Sequence, residues 1–141
     1  MTRYLLDTNI LNHVIKPASS PSLTAWLDQQ ADEDLYICSM NLAEIWNSIL
    51  QLAAGEKRSE QEGWFSGPRG QRVVFGGRVL KFDDNAALIW ARLMSERGNA
   101  GLPCAPIDMI YAAIAEANNC ILVTDDEARF TGLNVLNPMK P

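Results

Sequence analysis

The sequence holds one histidine and three cysteines, and these low numbers exclude several kinds of site. Cys38, Cys104 and Cys120 lie far apart and form no C-x-x-C pair, which excludes a zinc site built from thiolates. A histidine-based metal site or a Ser-His-Asp triad would depend on His13 alone. An odd number of scattered cysteines indicates small buried side chains in a reducing compartment, so we expect a bacterial or archaeal cytoplasm.

Positive charge and long apolar runs are also scarce. The chain has 12 Lys and Arg against 17 Asp and Glu, a net charge of −5. This balance argues against binding nucleic acid by bulk charge, but it allows an enzyme that holds metal cations in an acidic pocket and meets nucleic acid locally. No apolar stretch reaches the length of a membrane span, and the N-terminus lacks the apolar core of a signal peptide, so we expect no membrane association.

The length of 141 residues predicts a single domain over residues 1–141, and its pattern of strands and helices predicts the α/β class. Apolar runs predict short buried strands at residues 3–6, 35–38, 79–80, 120–123 and 135–136. Helical spacing predicts helices at about 8–16, 23–30, 40–54, 85–97 and 106–118, with a helical turn at 127–130. Alternating strands and helices predict a parallel sheet covered on both faces.

The ends of these elements and the connections between them are predicted from residues that cap or break helices. Pro17 is expected to stop the first helix, and Ser22 and Ser39 are expected to N-cap the next two. We interpret residues 56–62 as a charged connector, while four glycines and a proline leave residues 64–77 without a readable period. Asp83 and Asp84 are expected to cap the helix that follows them.

Four acids share one structural context. Asp7 and Asp126 follow predicted strands, and Glu44 and Asp108 fall in the first turns of predicted helices. All four can point at the carboxyl edge of the sheet, where open α/β folds bind ligands. Oxygen ligands of this kind suit Mg²⁺ or Mn²⁺, and two such ions about 4 Å apart can promote phosphodiester cleavage. Metal binding is the simplest physical reason to gather carboxylates that would otherwise repel.

Each of these residues also has a simpler interpretation. Any one acid near a strand end or helix start is more often a cap or a partner of the helix dipole. Thr8, Asn9 and Thr124 have two interpretations that can hold at once: they are helix caps, or they are hydrogen-bond partners of the carboxylates and of bound water. Asp125 is interpreted as a bystander or as a modulator of Asp126.

The one basic region of the chain has two interpretations. Its side chains either contact phosphates or form a solvated face, and the second is at least as common for spaced surface cations. They are Arg69, Arg72, Arg78 and Lys81. The four tryptophans are expected in the core or at an interface rather than as platforms for bases.

Four motifs in order resemble those of PIN-domain nucleases, and more narrowly the VapC-type toxins of toxin–antitoxin pairs. They are Leu5-Leu6-Asp7-Thr8-Asn9, Leu42-Ala43-Glu44, Ile107-Asp108-Met109-Ile110-Tyr111-Ala112-Ala113 and Val123-Thr124-Asp125-Asp126. The similarity covers nearly the whole chain. A single L-D-T-N is a weak signal, whereas four motifs in order over one compact chain are a strong one.

The resemblance implies a three-layer α/β/α fold with a parallel sheet of about five strands. It implies a Mg²⁺- or Mn²⁺-dependent endoribonuclease, usually a homodimer, that a VapB-type antitoxin holds inactive. Operator DNA would be contacted only through that antitoxin. Asp7, Glu44, Asp108 and Asp126 carry over as the metal-binding and catalytic residues, with Thr124 as the hydroxyl beside them.

A second hypothesis is a PIN-fold binding subunit of an antitoxin complex with little catalysis of its own. The acidic balance suits a partner with a basic tail, able to thread an arginine into the carboxylate pocket. A phosphatase of another α/β family is disfavoured, because Asp7-Thr8-Asn9 lacks the second aspartate two residues on.

Overall fold

We describe residues 2–15 and 20–140 of a computed structural model. The strands are β1 (Arg3–Leu6), β2 (Leu35–Cys38), β3 (Val79–Leu80), β4 (Cys120–Val123) and β5 (Val135–Leu136). The helices are α1 (Thr8–Ile15), α2 (Pro21–Asp28), α3 (Ser39–Leu50), α4 (Glu56–Ser66), α5 (Gln71–Val74), α6 (Asp84–Ala100) and α7 (Pro106–Ala117). Short 3₁₀ turns lie at Asp32–Asp34 and Glu127–Phe130. The predicted stop at Pro17 lies outside the described residues.

The five strands form one parallel sheet in the order β3-β2-β1-β4-β5. β1 is central and pairs with β2 on one side and with β4 on the other, where Leu6 lies opposite Val123. The chain order reverses across β1, and in open α/β sheets the crevice beyond such a reversal is the usual ligand position. Asp7 and Thr124, which directly follow β1 and β4, therefore lie at this crevice.

Alternating side chains of the strands feed two cores, one on each face of the sheet. Leu5 packs with α6 and α7, whereas Leu6 packs with the helices from α1 to α4. On the first face, small side chains of α7 at Ala112, Ala113 and Ala115 are buried and allow close helix packing. The result is the predicted three-layer α/β/α fold with a five-stranded parallel sheet.

The charged connector predicted at residues 56–62 is wrong, because these residues begin helix α4. Glu, Lys, Arg and Gln are good helix formers, and Arg58 pairs with Glu62 one turn later. The buried Phe65 lies only in the last turn of the helix, so the sequence shows no apolar period that would predict α4. The preceding helix α3 ends at Leu50, with Gln51 as its C-cap, and not at the predicted Ala54. Gly55 is the N-cap of α4.

Two predicted N-caps are corrected and one is confirmed. Ser20 rather than Ser22 caps α2, because Pro21 takes the first helical position and the Ser20 hydroxyl accepts from the Leu23 N–H at 3.2 Å. Cys38 rather than Ser39 is the N-cap of α3. Asp83 caps α6 as predicted, accepting from the N–H of the helix's third residue at 2.9 Å.

Buried cysteines and the absence of long apolar helices complete the picture. All three cysteines are free thiols, and two of them, Cys38 and Cys120, are buried. Within the described ranges, no helix has the length and apolar character needed to cross a membrane.

Candidate active site

Asp7 is the most buried of the four acids, with 4% of its surface exposed. It directly follows β1, and its own N–H still donates to the Val123 carbonyl of β4 at 2.9 Å. Its carboxylate accepts hydrogen bonds from the Thr8 N–H at 2.7 Å and from the Thr124 hydroxyl at 2.9 Å. The ladder therefore fixes the backbone of Asp7, and two donors on neighbouring strand ends fix its side chain.

Three of the four acids meet on one cation, the guanidinium of Arg129. Its Nη2 lies 2.5 Å from Oδ2 of Asp7, and its Nη1 lies 2.6 Å from Oδ1 of Asp108. Its Nε lies 3.4 Å from Oδ2 of Asp126, one turn earlier in the chain. Burial lowers the pKa of Arg129, but the charges of Asp7 and Asp108 outweigh burial and raise it overall. The guanidinium is therefore a permanent positive charge at the centre of these acids.

Glu44 joins the group through hydroxyls rather than through Arg129. Its Oε1 accepts from the Thr8 hydroxyl at 2.9 Å and from the Tyr111 hydroxyl. The two hydroxyl oxygens are themselves 2.8 Å apart. Burial, followed by the hydrogen bond to Glu44, raises the pKa of Tyr111 well above its usual range. Tyr111 thus stays a neutral donor that fixes the Glu44 carboxylate.

Asn41 connects the first two motifs below the surface. Its side-chain amide donates to the Leu6 carbonyl at 3.0 Å and to the Thr8 hydroxyl at 3.1 Å. Its Oδ1 accepts the N–H of Cys38 at 2.8 Å. The side chain is fully buried, so one residue holds the end of β1 against the start of α3.

The structure also places the remaining polar residues of the motifs. Thr8 and Thr124 hydrogen-bond the carboxylates, as one of their two interpretations had it. Asn9 instead donates to Asp125, at 3.3 Å, and in the described part of the chain it has no hydrogen bond to any of the four acids. Asp125 lies beside the site, half-buried and held by Asn9.

The structure separates the four side chains of the basic region into one with structural partners and three that are exposed. Arg78 donates to the backbone carbonyls of Asp32, Leu35 and Val74 and lies over the ring of Phe75. This full set of partners favours a structural role for Arg78 over contact with RNA. The exposed side chains of this region are Arg69, Arg72 and Lys81.

Sequence reasoning missed Arg129, Tyr111 and Asn41. Their partners lie far away along the chain: Arg129 meets Asp7 across 122 residues, and Tyr111 meets Glu44 across 67. One available signal was the position of Arg129, on the predicted turn directly after Asp126. Asn41 faced the same flank of its helix as Glu44, which was also visible in the sequence.

A divalent cation fits this site in its donor chemistry. The converging atoms are carboxylate and hydroxyl oxygens, which hard cations prefer, and they already surround a positive charge. Within residues 2–15 and 20–140, no three His, Cys, Asp or Glu side chains are arranged to hold one metal ion as they stand. The acids would therefore have to close in on an ion that is smaller than a guanidinium.

The family model that describes the PIN domain matches residues 4–133 of this sequence. The chain belongs to the PIN-domain family. The resemblance predicted from the four acidic motifs is thereby confirmed, and the match includes the strand ends and helix starts that carry all four acids.

Individual relatives of this PIN domain are similar to it in sequence over nearly their whole length. The chain is 30% identical over 139 residues to VapC ribonuclease Y4jK of Sinorhizobium fredii, covering 97% of this chain and 98% of that protein. It is 29% identical over 131 residues to Toxin FitB of Neisseria gonorrhoeae, covering 93% of each. A solved structure of FitAB bound to an IR36 DNA fragment superposes with a TM-score of 0.85 at 28% identity, covering 98% of this chain and 96% of that chain.

Tyr111→Phe is expected to cost about 1 kcal/mol of stability or more at neutral pH, because the hydroxyl that contacts both Glu44 and Thr8 is lost. Above pH about 10 the unfolded chain loses the tyrosine proton before the folded chain does, since the pKa is raised on folding. The wild type therefore loses stability there, and the variant lacks this part of the loss. Denaturant unfolding of both proteins at rising pH measures the difference, and coinciding alkaline profiles would contradict it. Burial raises the pKa of Cys38 and of Cys120 to about 11, which affects both proteins equally.

Proposed function

We propose that this PIN domain is a Mg²⁺- or Mn²⁺-dependent endoribonuclease, the toxin of a VapBC-type pair. The observation that carries the proposal is the convergence of Asp7, Asp108 and Asp126 on one positive charge at the carboxyl edge of the sheet. Glu44 is attached to the same group through Thr8, the residue that follows Asp7. The relatives, a VapC ribonuclease and a toxin by name, support the same activity.

In this proposal Asp7, Glu44, Asp108 and Asp126 would hold the metal. When bound, such an ion lowers the pKa of a water molecule and stabilises the leaving oxygen of the phosphodiester. The chain's own residues then orient the ligands. Thr124 and the Thr8 N–H hold the carboxylate of Asp7, and the hydroxyls of Thr8 and Tyr111 hold that of Glu44. Oriented ligands of this kind strengthen metal sites in proteins.

The partners follow from the same proposal. A VapB-type antitoxin would bind this chain, and operator DNA would be contacted through it, as a FitAB complex on DNA suggests by analogy. We also propose a homodimer in the cytoplasm, where the three free thiols would remain reduced. RNA phosphates would meet the exposed side chains of Arg69, Arg72 and Lys81.

Removal of the metal is expected to abolish cleavage. The purified chain, incubated with total bacterial RNA, should cut in Mn²⁺ or Mg²⁺, stop on addition of EDTA, and resume when Mn²⁺ is supplied in excess. Parallel incubation with single-stranded DNA of mixed sequence tests the preference for RNA. Cleavage that continues at the same rate in EDTA would contradict the proposal, because the proposal assigns activation of the water to the metal ion.

One observation favours the alternative of a binding subunit with little catalysis. The acids are already neutralised in part by Arg129, so the pocket has a stable arrangement without metal. A chain that binds an antitoxin but cuts no RNA in either metal would support this alternative.

A further inference from the structure

Arg129 is held in the site by the short turn on which it lies and by the buried residue that follows it. It lies on the 3₁₀ turn Glu127–Phe130, directly before Phe130, which is completely buried in the core below α7. The guanidinium carbon lies 5.0 Å from the centre of the Phe130 ring. The backbone of Arg129 is thus fixed by its neighbour, while 30% of its side chain remains exposed to solvent.

Every nitrogen of the guanidinium is directed at the acidic site. Nη2 contacts Asp7 and also the Thr124 hydroxyl, at 3.2 Å, Nη1 contacts Asp108, and Nε faces Asp126. No contact in the described residues links Arg129 to an acid outside this group. A surface cation that served only solubility would not be committed to three of the four acids of the site.

The charges explain why a cation is needed there. Asp7 is nearly excluded from water, and Asp108 is only 17% exposed at its side chain. Carboxylates so placed repel one another, and a positive charge between them offsets that repulsion. An arginine remains charged at any accessible pH, so Arg129 always supplies one positive charge that offsets part of their negative charge. Its exposed position also lets it leave without unfolding the core.

We propose that Arg129 is a positioning residue that serves as a built-in counter-ion, holding Asp7, Asp108 and Asp126 together in the metal-free chain and leaving them when a divalent cation binds. The inference rests on the proposed metal site. It accounts for two observations together: the acids converge on one point, yet within the described residues they are not arranged as metal ligands. The Phe130 ring, which the guanidinium already faces, would be a contact available to it after displacement.

The test compares the whole chain with Arg129→Gln and Arg129→Lys, using Mn²⁺ alone as the probe. Calorimetry measures the affinity for Mn²⁺, and thermal unfolding in EDTA and in Mn²⁺ measures stability. Arg92→Gln is the matched control, because Arg92 is an exposed arginine whose partners Glu96 and Glu116 lie outside the site. The lysine variant retains a charge without the planar fork, and it serves if the glutamine variant does not fold in EDTA.

Arg129→Gln should bind Mn²⁺ at least about tenfold more tightly than wild type, since no cation has to leave; tenfold corresponds to about 1.4 kcal/mol. Its melting temperature in EDTA should fall by about 4 °C or more, and Mn²⁺ should restore it. Arg129→Lys should fall between the two proteins in both measurements. Arg92→Gln should match the wild type in affinity.

Unchanged or weaker Mn²⁺ binding by both Arg129 variants would overturn the inference, because Arg129 would then not compete with the ion. Binding by Arg129→Gln but not by the wild type would be its strongest support. Binding by neither, with both proteins folded, would overturn the metal site itself. Only in that case does the proposed function fail together with the inference, so the two failures are distinguishable.

Discussion

Asp108→Asn is expected to weaken Mn²⁺ binding at least about 100-fold and to reduce RNA cleavage to the background of a mock preparation. Losing a residue that only orients a metal ligand lowers the affinity for the metal by about 10- to 100-fold, and losing a ligand itself lowers it further. Asparagine keeps the size of the side chain but removes the charge that the ion requires. The measurements are calorimetric titration with Mn²⁺ and cleavage of total bacterial RNA.

Asp108 is a better test of the site than Asp7. Asp7 is buried and accepts from three groups, so replacing it disturbs the end of β1 as well as the metal site. Asp108 lies in the first turn of α7, and within residues 2–15 and 20–140 its side chain bonds to Arg129 alone. Loss of an acid from a helix N-terminus costs only about 0.3–1 kcal/mol, so the variant should fold.

Asp84→Asn is the matched control for Asp108→Asn. Asp84 also lies in the first turn of a helix, α6, but it is exposed and contacts none of the four acids in the described structure. It should bind Mn²⁺ and cleave RNA as the wild type does. Cleavage by Asp108→Asn at the wild-type rate would contradict the proposed site, or would reveal a contaminating nuclease if Mn²⁺ binding had been lost.

The acids were predictable because strand ends are visible in a single sequence. An apolar run that stops at a carboxylate locates Asp7, and Leu5 and Leu6 then point to opposite faces by the two-residue period of a strand. Parallel strands bring their carboxyl ends to one edge, so Asp7 and Asp126 could be placed together without any knowledge of contacts. Local rules were sufficient for these residues.

The connections among the acids were not predictable in this way. The contacts of Arg129 with Asp7 and of Tyr111 with Glu44 join residues far apart in sequence, and no local pattern selects an arginine over other surface cations. Helix α4 was missed for a different reason. Its sequence is polar nearly throughout, and its buried anchor Phe65 comes only in its last turn.

The built-in arginine also bears on how a partner could inhibit this chain. We expected a basic antitoxin tail able to thread an arginine into the acidic pocket, and that expectation stays a prediction. In the structure a guanidinium from the chain itself already contacts three of the acids. A partner's arginine would therefore compete with Arg129 for the same carboxylates, and removing Arg129 should tighten such a partner as well as Mn²⁺.

Asn41→Ala is expected to lower the free energy of unfolding by about 3 kcal/mol, measured by urea denaturation. The substitution removes three hydrogen bonds from a fully buried position and leaves the Cys38 N–H without its side-chain acceptor. Each buried group left unsatisfied costs about 1–3 kcal/mol. Asn47→Ala is the control on the same helix: Asn47 is exposed, and its replacement should change stability by less than about 0.5 kcal/mol.

The same variant should also weaken Mn²⁺ binding by about tenfold, because Asn41 supports the metal ligands indirectly. Its amide holds the Thr8 hydroxyl, and that hydroxyl in turn holds the carboxylate of Glu44. Loss of stability with unchanged Mn²⁺ affinity would show that Asn41 serves the fold alone. A loss of both stability and Mn²⁺ affinity would show that the contacts of Asn41, which join β1 to α3, also position Glu44 beside the other acids.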